Sequence, residues 1–325
     1  MPAPASGQSS DASVAVPLRP GFSRGDFMLL TKARLSALVV ITTAAGYALH
    51  LALREWPGAL PWRLVHTLLG TALTAFGASV FNQLMEMDAD ARMQRTADRP
   101  LAARRLQPEV AFLIGALLAG AGLIHLGVKV NVEAAALAGL TLLVYLFIYT
   151  PMKRTSVWNT IVGAVSGAIP PVIGWVAVAG GKEFRNYHRE LIRWDLLAAQ
   201  PAFFLFALLF LWQLPHFLAI NWMYREEYIR GGFVMWSNDD ETGRPTARRA
   251  FAWSLLLLPL ALWPPLAGFT SWIAAIPGLL LGGWLVWLSL CFVRTPDRAA
   301  ARRLFLATLL YLPGMLAVVL CCARN

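Results

Sequence analysis

The sequence predicts an all-α polytopic membrane protein with about nine transmembrane helices. Of its 325 residues, 58% are hydrophobic and only 14% are charged, and the mean hydropathy is +0.56. Soluble domains carry about 25% charged residues, so this composition lies outside their range. Apolar runs recur along almost the whole chain, and each is near the roughly 20 residues that a helix needs to cross the hydrocarbon core.

Nine apolar segments are long enough to span a bilayer. They cover residues 28–53, 62–85, 108–127, 131–150, 157–179, 199–223, 251–269, 271–293 and 303–322. Residues 1–24 are rich in Ala, Ser and Pro and poor in basic residues, so we expect a disordered cytoplasmic tail rather than a signal or transit peptide. Residues 25–325 then form one transmembrane domain. The three cysteines lie in apolar segments without CxxC or Cys/His spacing, which predicts buried thiols and no metal site.

The basic residues predict the orientation of the chain. With the N-terminus placed in the cytoplasm, most of the 28 Lys and Arg residues fall on the cytoplasmic side, as the positive-inside rule requires. The net charge of +10 therefore reflects topology and attraction to anionic membrane lipid, and we expect no nucleic-acid partner. The 180–198 loop is predicted to lie on the opposite surface as an amphipathic segment.

A charged stretch follows the second apolar segment. "FNQLMEMDADARMQRTADRPL", residues 81–101, contains four acids and three arginines. Asn82, Glu86 and Asp90 recur at four-residue intervals, which keeps them on one helix face, whereas Asp88 points elsewhere. Oxygen ligands beside arginines suit a divalent cation that bridges carboxylates to a phosphate-bearing substrate. Acids at membrane depth are costly, so a solvated, self-paired loop is the less favoured alternative.

A second stretch, "WQLPHFLAINWMYREEYIRGGF", also passes from apolar to charged residues. His216, Ile220, Tyr224 and Glu227 would share one helix face if the helix continues past Pro215. This arrangement would put a histidine deep in the membrane and an acid near its surface. An intramembrane histidine is often only hydrogen-bonded to a neighbouring helix, so the residues alone leave its role open. We call residues 86–107 the first charged segment and residues 224–250 the second charged segment.

These stretches together resemble the protohaem IX farnesyltransferases (haem O synthases), a branch of the intramembrane aromatic prenyltransferase superfamily. "NQLMEMDADARMQRTADRPL" is similar to that family's Asn-x-x-x-Asp/Glu-x-x-x-Asp motif, followed by Met-x-Arg-Thr-x-x-Arg-Pro-Leu. "YTPMKRTSVWNTIVGAVSGAIPPVIGW", "LPHFLAINWMYREEY", and "GGFVM" followed by "ETGRPTARR" occur in the family's order. The resemblance covers about residues 25–320. The sequence departs from the pattern in Glu86, where many members have Asp, and in its longer 180–198 loop.

The resemblance implies nine helices around a central cavity and a defined reaction. A farnesyl group would pass from farnesyl diphosphate to a vinyl group of haem b, with hydration, giving haem O and diphosphate for haem-copper oxidase cofactor biosynthesis. Mg²⁺ would be the cofactor, and haem b a substrate. Haem A synthase or the terminal-oxidase assembly would be the protein partners. The expected location is the bacterial cytoplasmic (inner) membrane, with many passes.

The resemblance also implies roles for individual residues. Asn82, Glu86 and Asp90 would hold the metal and the diphosphate, and His216 would face haem as an iron ligand or a base. Glu226 or Glu227 would form a second acidic site. The groups implied to bind diphosphate or haem propionates, or to line the cavity, are Arg95, Arg99, Lys153, Arg154, Tyr224 and Tyr228. Lys153 and Arg154 have an alternative interpretation as positive-inside charge.

Other functions fit parts of the sequence. A secondary transporter predicts ionisable groups near the middle of several spans, but here they cluster at one face. A sister prenyltransferase with a quinone-ring precursor or a chlorophyll-type acceptor would share the metal motif, and only the branch-specific elements argue against it. A structural haem protein would need paired axial histidines across helices, and only His216 is well placed for that role.

Overall fold

The computed structural model describes residues 22–53, 61–179 and 196–324, which are largely helical. Within these ranges nine helical segments are long and apolar enough to cross a membrane, which confirms the predicted fold class. They are Ala33–Leu53, Pro61–Ala91, Pro108–Lys129, Val132–Met152, Asn159–Val178, Gln200–Met223, Arg244–Leu266, Trp272–Arg294 and Arg298–Cys321. Most of the predicted N-terminal tail and residues 180–195 of the predicted amphipathic loop lie outside the described residues.

Several spans consist of two or three consecutive helical pieces. In chain order the elements are α1 (Arg24–Leu30), α2 (Ala33–Leu53), α3 (Pro61–Asp90), α4 (Pro108–Lys129), α5 (Val132–Leu143), a π-helical turn (Val144–Tyr149), α6 (Thr150–Met152), α7 (Asn159–Ala168), α8 (Pro170–Ala179), α9 (Leu196–Met223), α10 (Arg225–Gly231), α11 (Arg244–Leu255), α12 (Leu257–Leu266), a 3₁₀ turn (Trp272–Ala274), α13 (Ala275–Arg294) and α14 (Arg298–Cys321).

Four spans differ from their predicted bounds by five residues or more. The first begins at Ala33 rather than residue 28, because Lys32 has left-handed backbone (φ 46°) and separates α1 from α2. The second continues to the end of the acidic motif, because buried partners satisfy its carboxylates.

The seventh span begins at Arg244 instead of residue 251. Gly243 (φ 74°) is the N-cap of this helix, and Pro245 lies in its first turn. The ninth begins at Arg298 rather than residue 303, because the Asp297 side chain caps its N-terminus.

Helix α9 lies at the centre of the bundle and packs against α7, α11 and α14. Its buried side chains, including Phe204 and Leu208, belong to the largest hydrophobic cluster. Helices α2 and α8 approach closely, because a Cβ at Gly46 would lie 1.9 Å from the Pro171 carbonyl oxygen and one at Gly174 would lie 1.8 Å from that of Thr43. Small residues allow such contact between membrane helices.

The outer surface of the bundle is apolar. Phe147, Val128 and Leu117 are each more than 70% exposed, as expected for side chains that face lipid rather than water. Charged residues concentrate at the end of the bundle where the two charged segments meet. The protein is therefore a multi-pass membrane protein with one strongly charged end.

Candidate active site

A cavity of about 340 Å³ lies between the helices at the charged end. Its walls come from α3, the π-helical turn, α7, α9 and α10, so residues distant in sequence meet there. Glu86 and Asp90 line the shallow part. His216 lies seven residues before Met223, the last residue of α9. It is therefore about 10 Å from that end of the helix, measured along the axis towards the membrane interior.

The two acids of α3 are buried and each is paired with a cation. Glu86 is 3% exposed and Asp90 is 2% exposed. Lys153 Nζ lies 2.7 Å from Glu86 Oε1, and Arg99 Nη1 lies 2.6 Å from Asp90 Oδ2. Asp88, on the other face of the helix, is exposed, as its position in the helical repeat predicts. The geometry of the predicted acidic face is thus present.

Asn82 lies one layer beneath the cavity. Its Oδ1 accepts a hydrogen bond from Lys32 Nζ, and its Nδ2 donates to Thr150 Oγ1 at 3.0 Å. Asn82 is fully buried and is not among the lining residues, whereas Lys32 is. The structure therefore brings Asn82 into the polar network, where it holds Lys32 towards the cavity.

Sequence reasoning missed Lys32. Its only signal was a basic residue at the start of the first span, which we assigned to the positive-inside pattern. Burial and the nearby Arg99 guanidinium lower the pKa of Lys32 to about 7, because a desolvated ammonium beside like charge is disfavoured. An anionic ligand in the cavity would reverse this effect and favour the charged form.

Lys153 is held in place from three sides. Its ammonium lies 4.6 Å from the centre of the Tyr149 ring and 5.6 Å from that of Phe233. Its carbonyl oxygen accepts a hydrogen bond from Val234 N at 2.6 Å. Burial alone would lower the pKa of Lys153, but the Glu86 carboxylate outweighs it and raises that pKa above the ordinary value. Lys153 is therefore charged at neutral pH, and its position is determined by the fold.

Two tyrosines that the sequence analysis did not select also line the cavity. Tyr145 and Tyr149 come from the π-helical turn, and their rings stack at 5.4 Å. The turn is wide, since Thr150 N bonds to the Tyr145 carbonyl, and such turns often occur at functional sites. Their four-residue spacing directly before Lys153 is the signal that could have indicated them.

The second charged segment approaches the cavity differently from the prediction. Helix α9 continues through Pro215 but ends at Met223, because Tyr224 leaves the helical conformation (φ −117°, ψ 24°). The predicted shared face is therefore wrong beyond Ile220. His216, Ile220 and Tyr228 line the cavity, whereas Tyr224 does not.

Neither acid of α10 is among the residues that line this cavity. Glu227 Oε2 accepts a hydrogen bond from the backbone N–H of Arg95 at 3.1 Å, and Glu226 is exposed. Among the basic residues, Arg95 and Arg99 line the cavity. Arg154 is exposed and donates to the Met85 carbonyl at 3.4 Å.

The rim of the cavity joins the two charged segments. The Arg95 guanidinium lies 5.1 Å from the Tyr224 ring centre and 5.9 Å from that of Tyr228. Arg92 Nη2 donates to the Gly231 carbonyl at 3.2 Å. These contacts place the two segments at the same end of the bundle, which agrees with the predicted common side.

His216 occupies an aromatic environment in the deep part of the cavity. Its ring lies 5.1 Å from that of Trp212 and 4.9 Å from that of Phe305. Nδ1 lies 2.8 Å from Thr308 Oγ1. The cavity thus has a charged shallow end, and at its deep end lies one imidazole that is packed against aromatic side chains.

The carboxylate oxygens of this site suit a hard divalent cation that also binds oxygens of a substrate. Within the described ranges, no group of three or more His, Cys, Asp and Glu residues could hold a metal ion alone. Mg²⁺ is commonly bound by one or two carboxylates together with substrate phosphates, and Glu86 and Asp90 supply two carboxylates beside several cations. The fold and this cavity define a membrane enzyme whose site suits a phosphate-bearing substrate.

Comparisons with known proteins agree with this class. Residues 39–312 match the UbiA prenyltransferase family. The protoheme IX farnesyltransferase of Solibacter usitatus is 37% identical over 305 residues, which cover 91% of this chain and 97% of the relative. That of Opitutus terrae is 40% identical, covering 90% and 93%. The human mitochondrial protoheme IX farnesyltransferase is 38% identical, covering 91% of this chain and 61% of the human protein.

The chain therefore belongs to the UbiA prenyltransferase family and, within it, to the protoheme IX farnesyltransferase branch. It is an enzyme, a prenyltransferase, and the resemblance recognised in the sequence is confirmed.

Solved structures support the fold. A digeranylgeranylglyceryl phosphate synthase aligns with a TM-score of 0.71 at 13% identity, covering 92% of this chain and 97% of that one. A UbiA homologue from Archaeoglobus fulgidus bound to GPP and Mg²⁺ aligns with a TM-score of 0.59 at 12% identity, covering 90% and 99%.

Proposed function

We propose that the protein transfers a farnesyl group from farnesyl diphosphate to a vinyl group of haem b, giving haem O and diphosphate. The observation that carries this proposal is the cavity, because its residues suit both substrates and the chain is related to protoheme IX farnesyltransferases. Glu86 and Asp90, with their paired cations, occupy its shallow end, and His216 its deep end. In the reaction the allylic C–O bond breaks and diphosphate leaves with its electron pair, a C–C bond forms to one vinyl carbon, and water adds to the other vinyl carbon with loss of a proton.

Mg²⁺ is the cofactor that this site fits, and Glu86 and Asp90 are the residues that would hold it. The related fold bound to GPP and Mg²⁺ in Archaeoglobus fulgidus supports this assignment. When bound, the ion neutralises charge on the departing diphosphate. Asn82 contributes indirectly, because its amide oxygen accepts from Lys32 instead of facing the cavity.

The cations of the site have a partner both with and without substrate. Lys153 and Arg99 neutralise the two carboxylates, which avoids the large cost of an unpaired buried charge. A diphosphate offers Lys153, Arg99 and Arg95 a second set of oxygens, and charge-assisted hydrogen bonds to such groups are strong. We infer that diphosphate and metal bind together more tightly than either binds alone.

The aromatic walls of the cavity suit the reaction of the allylic group with haem. Aromatic faces stabilise positive charge, and the rings of Tyr145, Tyr149 and Tyr228 line the cavity. Substrates that fill the cavity would displace water from these walls, which would protect a reactive cation from early hydrolysis. His216 would face haem as an iron ligand or a base. Arg154 is exposed and does not line the cavity, so it would contact a haem propionate only outside the cavity.

The second acidic site implied by the family resemblance has a different basis here. Glu227 orders the backbone of Arg95, so its contribution to the diphosphate end is through that arginine. Glu226 is exposed and takes no part in our proposal.

A product analysis tests the function directly. Purified protein is incubated with haem b, Mg²⁺ and farnesyl diphosphate, and the porphyrin product is identified by mass. We expect haem O and one diphosphate per product. The sister reaction is tested in parallel with a quinone-ring precursor as acceptor. Farnesylation of that precursor, with haem b unchanged, would show that the acceptor is the quinone-ring precursor and not haem.

His216→Ala separates the two ends of the cavity. We expect loss of haem farnesylation with nearly unchanged Mg²⁺-dependent binding of farnesyl diphosphate, because the paired acids lie towards the surface. Haem titration by absorbance and donor binding are measured in the same detergent preparation. Unchanged haem affinity, spectrum and turnover would remove His216 from the mechanism.

We also propose that the protein lies in the bacterial inner membrane, with the N-terminus and both charged segments on the cytoplasmic side. In that membrane, haem A synthase or the terminal-oxidase assembly would receive the product. Exposed Gln94, in the first charged segment, and exposed Val132, at the start of α5, mark opposite ends of the bundle. In a background without the native cysteines, an impermeant thiol reagent should label Val132→Cys and spare Gln94→Cys in cells with a permeabilised outer membrane. The reverse pattern would invert the topology.

A further inference from the structure

A buried threonine on the last helix contacts the deep histidine. Thr308 lies on α14 and is fully buried. Its Oγ1 lies 2.8 Å from Nδ1 of His216 and 2.6 Å from the carbonyl oxygen of Phe305. Its own carbonyl accepts a hydrogen bond from the Trp212 indole at 2.6 Å. Thr308 therefore connects α14 to α9 at the level of the imidazole.

The position of the hydroxyl proton follows from these distances. A threonine hydroxyl has one proton to donate, and a carbonyl oxygen can only accept. Two oxygens 2.6 Å apart without a proton between them would repel each other, so the proton lies between Thr308 Oγ1 and the Phe305 carbonyl. The hydroxyl oxygen must then accept from His216, and the donor is Nδ1–H.

The rings around the imidazole maintain this arrangement. The Trp212 ring makes an interplanar angle of 25° with the imidazole, and the Phe305 ring makes one of 31°. These two ring contacts, together with the contact at Nδ1, restrict rotation of the imidazole. His216 lines the cavity, and because Nδ1 faces the buried threonine, we assign the edge that carries Nε2 to the cavity side.

We propose that Thr308 is a positioning residue that holds His216 in the Nδ1–H tautomer and so presents an unprotonated Nε2 to the acceptor. An imidazole nitrogen with a free lone pair can accept a proton or coordinate iron, whereas an N–H can do neither. Second-layer partners set the tautomer of functional histidines in this way. The proposal rests on the proposed function, because it specifies what His216 offers to haem.

Two variants test the tautomer without substrate. Thr308→Val has a similar shape but no hydroxyl, and Thr308→Ser keeps the hydroxyl. Nitrogen-15 NMR of histidine-labelled protein in detergent distinguishes the two neutral tautomers, and His216→Ala identifies the signals of that residue among the 5 histidines. We expect the Nδ1–H form in the wild type and in Thr308→Ser, and a shift towards the Nε2–H form in Thr308→Val. An unchanged tautomer in Thr308→Val would overturn the proposal.

Turnover and haem titration complete the test. Loss of one neutral hydrogen bond should lower kcat for haem farnesylation about tenfold in Thr308→Val, with donor affinity unchanged and with recovery in Thr308→Ser. Equal losses in both variants, or wild-type turnover in a Thr308→Val protein whose tautomer has shifted, would overturn the role. Absence of haem O from the wild type would instead refute the proposed function, and the NMR result would stand separately.

Discussion

The two charged segments look alike in the sequence but have different functions in the fold. Each follows an apolar span and carries both signs of charge. The first sends Glu86 and Asp90 into the cavity, where side-chain cations meet them. In the second, Arg225 donates to the Ser237 and Asn238 carbonyls at 2.7 Å, and Asp240 accepts from backbone N–H groups.

The local backbone explains this difference. Within a continuing helix the backbone N–H groups are already bonded to carbonyls, so a buried acid needs a side-chain cation, a metal or a ligand as its partner. In an irregular segment free N–H groups are present and bind the nearest carboxylate. An acid on a helix that continues into a cavity is thus a better candidate for substrate chemistry than an acid in a charged loop.

The largest expected effect is on the helical acids. Glu86→Gln and Asp90→Asn should each reduce turnover by about a thousandfold or more, because an amide cannot neutralise a metal–diphosphate complex whose stabilisation is worth several kcal/mol. Diphosphate release by purified protein is the measurement. Asp88→Asn, an exposed acid in the same helix, is the matched control and should keep wild-type turnover. Normal diphosphate release by either buried-acid variant would contradict the metal assignment.

The next effect is on the stability of the first segment. Lys153→Met leaves Glu86 buried without its cation, and breaking such a pair costs about 3–5 kcal/mol of unfolding free energy. The double variant Lys153→Met with Glu86→Gln should regain most of that stability yet stay inactive. Thermal unfolding in detergent measures the first outcome and product formation the second. Equal melting temperatures for wild type and Lys153→Met would show that the pair contributes little.

A smaller effect, on stability alone, is expected in the second segment. The Asp240 carboxylate accepts from the N–H groups of Gly243 and Thr246 at 2.8 Å and of Thr242 at 3.1 Å. Asp240→Asn should cost about 1–2 kcal/mol of unfolding free energy and leave turnover per folded molecule unchanged. A specific loss of kcat would show that the two segments act more alike than we propose.

The same residue predicts a pH dependence. Burial alone would raise the pKa of Asp240, but the hydrogen bonds from Thr246, Gly243 and Thr242 outweigh it and lower that pKa. Its stabilisation is therefore fully present above about pH 4, the ordinary pKa of aspartate, and is lost as pH falls through the lowered value. The melting temperatures of wild type and Asp240→Asn should converge at acid pH. A constant difference down to that range would contradict this account.

The smallest effects distinguish two neighbouring acids. Glu227→Ala frees the backbone of Arg95 and should raise KM for farnesyl diphosphate by about three- to tenfold. Glu226→Ala should change unfolding free energy by less than about 0.5 kcal/mol and leave kinetics unchanged. Steady-state kinetics on both variants are sufficient. A Glu226→Ala protein as inactive as Glu86→Gln would restore the interpretation of two equivalent acidic sites.

The sequence predicted what depends on local periodicity. Span lengths follow from bilayer thickness, and the common face of Glu86 and Asp90 follows from the helical repeat. It did not predict Lys32, because the contact joins the turn between α1 and α2 to Asn82 on α3, and no local pattern records it. The predicted end of the sixth span at residue 223 was right, but the predicted helix face was extended past it to Glu227. Pro215 lies inside α9, while the break falls at Tyr224, where the sequence carries no breaking residue.

The rim around Arg95 has a consequence for how quickly a large planar acceptor can enter. Two hydrogen bonds and two cation–π contacts join the charged segments there, and Met93 packs with Phe233 and Met235 in a buried cluster between the same segments. If an acceptor enters only when these contacts part, its apparent affinity is reduced to the extent that the open form is rare. Loosening the rim would then tighten acceptor binding.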